Sequence, residues 1–235
     1  MKRVIYSLFV FGIILVGLTG CDTKNDGIKF KNDYEKLNGV TNSSGNEHRT
    51  VSIEEDNSFV YSTTEEIIAK INNNDTFYVY FGSPYCPWCR SVIEKAISVA
   101  NSKGIDKIYY IDIWDDNYTE LLRDTYKIND ENEAELVKEG SDDYKELLQL
   151  FDNVLSDYSL KDNEGNKVLV GEKRIYAPNF IYIENGKAVK LTTGISEMQN
   201  DSREKLTNEI LEDEELQFLE FFTSESNICE KDSKC

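Results

Sequence analysis

Thr76 to Ile93 reads TFYVYFGSPYCPWCRSVI. Phe77, Tyr78, Val79, Tyr80 and Phe81 make an unbroken apolar and aromatic run, which Gly82-Ser83-Pro84 cuts off. Cys86-Pro87-Trp88-Cys89 comes next, and then Val92, Ile93, Ala96, Ile97 and Ala100 recur at steps of three and four. The pattern predicts a buried strand, a short loop and a helix whose first turn carries two cysteines.

That placement has chemical consequences. The first turn of a helix has N–H groups without partners and the positive end of the macrodipole, so it favours an anion such as a thiolate. A thiol held there has its pKa drawn from about 8.5 toward about 3.5–7.5, which makes it nucleophilic at neutral pH. Arg90 directly after the motif is expected to add a positive charge. Cys86 is read as the exposed nucleophile and Cys89, one turn on, as the resolving thiol. The competing use of C-x-x-C is half of a zinc site, which needs two further ligands. His48 is the one histidine, and Cys21, Cys229 and Cys235 do not supply that spacing, so no metal is expected.

A second stretch, Arg174-Ile175-Tyr176-Ala177-Pro178-Asn179-Phe180-Ile181-Tyr182-Ile183-Glu184-Asn185-Gly186-Lys187, points the same way. With the first, it resembles thioredoxin-fold thiol–disulfide oxidoreductases: active-site strand, loop and helix, then a proline, a strand and an Asn-Gly hairpin. The resemblance implies that Pro178 is cis and faces the cysteines, and that Ala177 offers backbone hydrogen bonds to a bound chain. It also implies that Tyr85 and Trp88 contact that chain, and that the Cys86–Cys89 disulfide is the sole redox group, with no cofactor. Two departures stand out. Tyr80 occupies the position, six before the first cysteine, where many members keep a buried carboxylate for the proton of the resolving thiol; Glu94 or a water is the expected substitute. Ala177 stands where threonine, valine or isoleucine is commoner. Trp88 resembles the aromatic residue of glutaredoxins, from which glutathione use does not follow.

Residues 1–20 read as an export signal, with Lys2 and Arg3 ahead of a mostly apolar Val4–Leu18 that is short for a membrane span. Leu18-Thr19-Gly20-Cys21 resembles a bacterial lipobox, which implies lipidation of Cys21 and a stable two-chain anchor on the outer face of the cytoplasmic membrane. Residues 21–57 are rich in Asn, Asp, Gly, Ser, Lys and Glu and read as a flexible tether spanning roughly 30–35 Å. A domain over 58–223 follows, and a polar tail over 224–235 holds Cys229 and Cys235. A structural bridge between those two is the expectation, with two free thiols or an auxiliary redox pair as the alternatives.

Inside the domain, Ser58–Tyr61 predicts a first strand, Thr63-Thr64-Glu65-Glu66 a capping box opening a helix, and Ile105–Ile113 a further buried strand. Strand, helix, strand, helix, strand implies parallel crossovers in an α/β sheet. From about 115 to 173 an all-helical insertion is expected, with Tyr118, Leu121, Leu122, Thr125 and Tyr126 as one stripe and Tyr144, Leu147, Leu148, Phe151 and Leu155 as another. Lys161–Lys173 reads as a hairpin, Asn185-Gly186 as a tight hairpin turn, and Asp201–Phe222 as a last helix.

The 44 acidic and 26 basic residues leave a net charge of −18, or −20 once Lys2 and Arg3 are lost with the signal. Nucleic acid is excluded as a partner, since its binding rests on phosphate neutralisation by Lys and Arg. The expected partners are thiols or disulfides of exported proteins, with a membrane electron donor or acceptor behind them; the direction of exchange is left open. The alternative function is a peptide-binding accessory module, resembling thioredoxin-like proteins linked to bacteriocin export, that needs no turnover.

Overall fold

The computed structural model describes residues 23–223 apart from Asp116 and Tyr118. In chain order the elements are α1 (Thr23–Glu35), β1 (Phe59–Tyr61), α2 (Thr64–Asn72), β2 (Phe77–Gly82), α3 (Pro87–Ser102), β3 (Ile108–Asp112), β4 (Thr125–Ile128) and β5 (Ala134–Lys138). They continue with α4 (Asp142–Leu150), β6 (Ser156–Lys161), β7 (Lys167–Arg174), β8 (Asn179–Glu184), β9 (Lys187–Thr192) and α5 (Asn208–Phe221). Residues 1–20, expected as an export signal, Cys21, Tyr118 and the tail with Cys229 and Cys235 lie outside the described residues. Among the described residues no helix is long and apolar enough to cross a membrane.

The chain is α/β, built on a mixed five-stranded sheet in the order β1-β3-β2-β8-β9. β1, β3 and β2 run parallel, while β8 and β9 run antiparallel to their neighbours. β2 is apolar throughout because it is covered on both faces. Its side chains alternate: Phe77, Val79 and Phe81 join the core layer with Ile67 and Ile71 of α2 and Tyr144 and Leu147 of α4. Tyr80 points the other way, into the layer with Phe30 and Tyr34 of α1, Val92 and Ile93 of α3 and Phe218 of α5. The expected capping box is formed at Thr63, with Glu66 reaching back to the cap. Asn185 and Gly186, at φ 50° and 72°, make the tight turn between β8 and β9.

Three expectations are corrected. The stretch expected as a tether is packed into the core: Phe30 and Tyr34 are 0% exposed, and Val51 and Ile53 join the same layer. Phe30 stacks on Phe59 of β1 with ring centroids 4.3 Å apart. The segment is polar on average, yet Phe30 and Tyr34 fall on one face of α1 and Leu37 is buried in the turn that follows, and that spacing outweighs the mean composition. The insertion is not all-helical either. It folds as two antiparallel hairpins, β4–β5 and β6–β7, around the single helix α4. The supposed stripe fails because Leu122 is buried while Leu121 is 54% exposed, and Asn132 at φ 62° turns the chain between β4 and β5. The last helix starts at Asn208 rather than Asp201, capped by the Thr207 side chain.

Candidate functional site

β2 ends at Gly82, and the loop Ser83–Tyr85 delivers Cys86 to the N-cap of α3 with Pro87 in the first turn. Pro suits that position, since its missing N–H is one that the helix leaves unpaired anyway. The Cys86 sulfur accepts a hydrogen bond from the Cys89 backbone N–H at 3.4 Å. Its thiol pKa is lowered chiefly by the Cys89 thiol donating to it, helped by the N–H groups of Cys89 and Trp88 and the charge of Arg123, and opposed by burial. Cys89 moves the other way. Burial pushes its pKa well up, and the neighbouring Cys86 sulfur adds to the push. Both cysteines are free thiols.

Across from the pair, the Ala177–Pro178 peptide is cis. The Cys86 thiol meets the Ala177 carbonyl at 3.4 Å. Ile175, two residues earlier, gives its carbonyl to an Arg123 guanidinium N–H at 3.2 Å. That guanidinium also grips the Glu120 carboxylate at 2.6 and 2.9 Å, and the same carboxylate accepts the Trp114 indole N–H at 3.1 Å. Arg123 is 5% exposed, so this ion pair is shielded from solvent and salt. The insertion thus pins the loop before β4 to the connection between β7 and β8 that carries Ala177.

Arg90 is not the charge beside the thiol. It is 0% exposed and turned inward, where it donates to the carbonyls of Arg49, Tyr34 and Pro84 and to the Asn38 side chain at 2.5–3.2 Å. It ties the end of α1 and the segment at Arg49 to the loop that carries Cys86. Glu94, expected as a stand-in base for Cys89, instead accepts the Ser52 backbone N–H at 2.8 Å. The rise at Cys89 is opposed by the Tyr80 hydroxyl and the Ser83 backbone N–H, both of which favour its anion. Asp112, at the end of β3, is half-buried, and burial raises its pKa against donors at Trp114 and Ser83.

Cys86 is 3% exposed, which corrects the expectation of an exposed nucleophile. It lies just under a rim of half-buried residues, Pro87, Trp88, Tyr176 and Ala177. Trp88 and Ala177 stand on that rim, and Pro178 is buried. Tyr85 does not. It is 8% exposed and its ring packs edge-on to His48, 6.4 Å away, so it is part of the floor. His48 itself is buried at 6%, not displayed on a tether. A cleft of about 840 Å³ opens at the other end of β2, around Lys70, Phe77 and Tyr109, away from the cysteines.

Sequence reasoning missed Arg123, Glu120 and Tyr34. Tyr34 was findable, because it follows Phe30 by one helical turn; the contact of Arg123 with Ile175 carried no local signal, since the two are 52 residues apart. Among the described residues no group of three His, Cys, Asp or Glu side chains lies together as a metal site. No protein-family model and no curated protein sequence matches this chain.

Proposed function

We propose that this chain is a thioredoxin-like thiol–disulfide oxidoreductase that exchanges disulfides with exported proteins through Cys86 and Cys89. The observation that carries the proposal is the asymmetry of the pair: Cys86 capping α3 opposite the Ala177 carbonyl, with its pKa lowered, and Cys89 sealed behind it, with its pKa raised. Groups whose environments push their pKa values apart divide naturally into nucleophile and reserve. In the reducing direction the Cys86 thiolate attacks a partner disulfide, and Cys89 then attacks the mixed disulfide. In the oxidising direction a partner thiolate attacks the closed pair. No further cofactor is needed. The lipobox-like Leu18-Thr19-Gly20-Cys21 supports a lipid anchor on the outer face of a bacterial cytoplasmic membrane, where such substrates pass.

The decisive experiment is trapping. Cys89→Ser should accumulate mixed disulfides through Cys86 in cells, and Cys86→Ala should form none. Equilibration of the wild-type pair in redox buffers gives its potential and hence the direction of exchange. A second reading is favoured by one observation, the 3% exposure of Cys86. Under it the rim at Trp88 and Ala177 holds an extended peptide without turnover. Full cellular function of Cys86→Ala, with no trapped partner, selects that reading.

A further inference from the structure

The stretch expected as a long spacer is folded from Thr23 onward, and α1 begins only two residues after Cys21. β1, β2 and β3 are parallel, so all three start at one end of the sheet, its base. The first turns of α1 lie at that base. Gly27 gives its carbonyl to the Asn57 side-chain N–H at 3.0 Å, and Phe30 stacks on Phe59, the first residue of β1. One turn later the Tyr34 hydroxyl meets that of Tyr80 at 2.9 Å, and the Tyr34 carbonyl accepts an Arg90 N–H at 2.8 Å. Arg90 follows Cys86 by one turn of α3, at the opposite end of the sheet.

Two helices measure the distance between these ends. Eleven steps of α1, from Thr23 to Tyr34, rise about 17 Å. α3 runs back from Cys86 to the base, where the Asn101 side-chain N–H reaches the Asp56 carbonyl at 3.2 Å. The fifteen steps from Cys86 to Asn101 rise about 22 Å. The thiol pair therefore stands about 20 Å from the end where α1 starts.

We propose that the lipid on Cys21 holds this domain directly on the bilayer, base down, so that Cys86 and Cys89 face away from the membrane at a height of about 20 Å. The inference rests on the lipid anchor and the thiol–disulfide exchange proposed above. Two residues span at most about 7 Å whatever their conformation. The headgroup layer of a leaflet is itself about 5–8 Å deep, so that length is used up within it. Turning the cysteine end to the membrane would lift Thr23 by about 20 Å, far beyond the reach of the two residues. Charge does not hold the base down. Lys103 and Lys107 lie there, but so do Glu54, Asp56 and Asp106, and the short link to the acyl chains sets the orientation. The consequence is a class of partner. The pair exchanges with thiols or disulfides on extramembranous parts of exported proteins, or on a donor domain that projects to a similar height. A thiol pair at headgroup level or within the bilayer is out of reach.

The test uses the full-length lipidated chain in phosphatidylcholine vesicles that carry dansyl-labelled headgroups. The chain has two tryptophans, Trp88 within the C-x-x-C pair and Trp114 just past the far end of β3, so energy transfer to the headgroups reads the height of that end. Transfer from the native chain should be weak. Moving the reporter to the base, in Trp88→Phe/Trp114→Phe/Lys107→Trp, should raise it at least about threefold. Equal or stronger transfer from the native tryptophans overturns the orientation. A second measurement needs no substitution and stands even where the triple variant does not fold. A peptide disulfide on a vesicle-anchored helical spacer of about twenty residues should react with the reduced pair at least about tenfold faster than the same disulfide held at the headgroups. Equal rates overturn the inference and leave the exchange proposal standing. A chain that reacts with neither, nor with a soluble peptide disulfide, refutes the exchange reading, while the tryptophan result still decides the orientation. A chain that does not float with the vesicles refutes the anchor and the inference with it.

Discussion

The two sides of the cysteine pair are built on opposite principles. On the Cys86 side, backbone N–H groups, the Cys89 thiol and the Arg123 guanidinium converge on a sulfur close to the surface, and its thiolate is favoured. On the Cys89 side, α1, β2 and α3 close an aromatic layer over the other sulfur, and its thiolate is disfavoured. The residue type is the same and the separation is one helical turn. The surroundings alone lower the pKa of one thiol and raise that of the other, and each environment draws on segments far from the cysteines in sequence.

The sharpest way to break the comparison is to remove the clamp that holds the Cys89 side shut. Arg90→Ala empties a buried site and takes the guanidinium from the carbonyls of Tyr34, Arg49 and Pro84 and from the Asn38 side chain; the Tyr34 carbonyl keeps the Leu37 N–H and the Asn38 oxygen keeps the Val51 N–H. Its expected cost is about 3 kcal/mol or more, read by urea denaturation, because each stranded buried acceptor carries a desolvation penalty. An Arg90→Ala chain as stable as wild type would show that residues 23–57 are not integral to the fold.

Glu214 tests whether burial without partners acts on a carboxylate as it acts on Cys89. It is 0% exposed on α5, neither carboxylate oxygen has a hydrogen-bond partner among the described residues, and its pKa is raised to about 7. Burial is the cause; Arg49 and Lys95 oppose it and Asp213 adds to it. A raised folded-state pKa binds protons in the native state that the unfolded chain has already lost. Stability should therefore be full below the ordinary value of 4.5 and fall as pH rises from there through about 7, by on the order of 3 kcal/mol. Glu214→Gln should flatten that slope in denaturation series across pH. A slope that survives the substitution assigns it elsewhere.

The smallest effect sharpens the Cys86 side. Arg123→Gln removes the positive charge and should move Cys86 alkylation by iodoacetamide to higher pH, slowing it at neutral pH by about threefold. Arg123→Lys keeps a charge but loses the fork on Glu120, so its pH profile should stay nearer wild type. Equal shifts in both variants would mean that Arg123 acts by pinning the Ile175 segment rather than by charge.

Much of the site was legible in the amino-acid order, and for local reasons. The strand Phe77–Phe81, the breaker at Gly82-Ser83-Pro84 and the steps of three and four after Cys89 are short-range signals that a single segment carries. Asn185-Gly186 fell where a turn with two positive φ angles needed it. Other signals misled because they averaged over too many residues or matched a period by accident. The polar mean of residues 21–57 hid the apolar face of α1, and the spacing of Leu121, Leu122, Thr125 and Tyr126 imitated a helix in a region whose side chains face different ways.

The chain itself thus determined that two thiols would stand at the start of a helix behind a buried strand, because strand, turn and cap are chosen by neighbouring residues. Only the tertiary structure decided how those thiols differ. Tyr34 lies 46 positions from Tyr80, Arg123 lies 52 from Ile175, and Ala177 lies 91 from Cys86. These groups meet only when the sheet and its covering helices close. Burial and charge act through space, and space is assigned by packing.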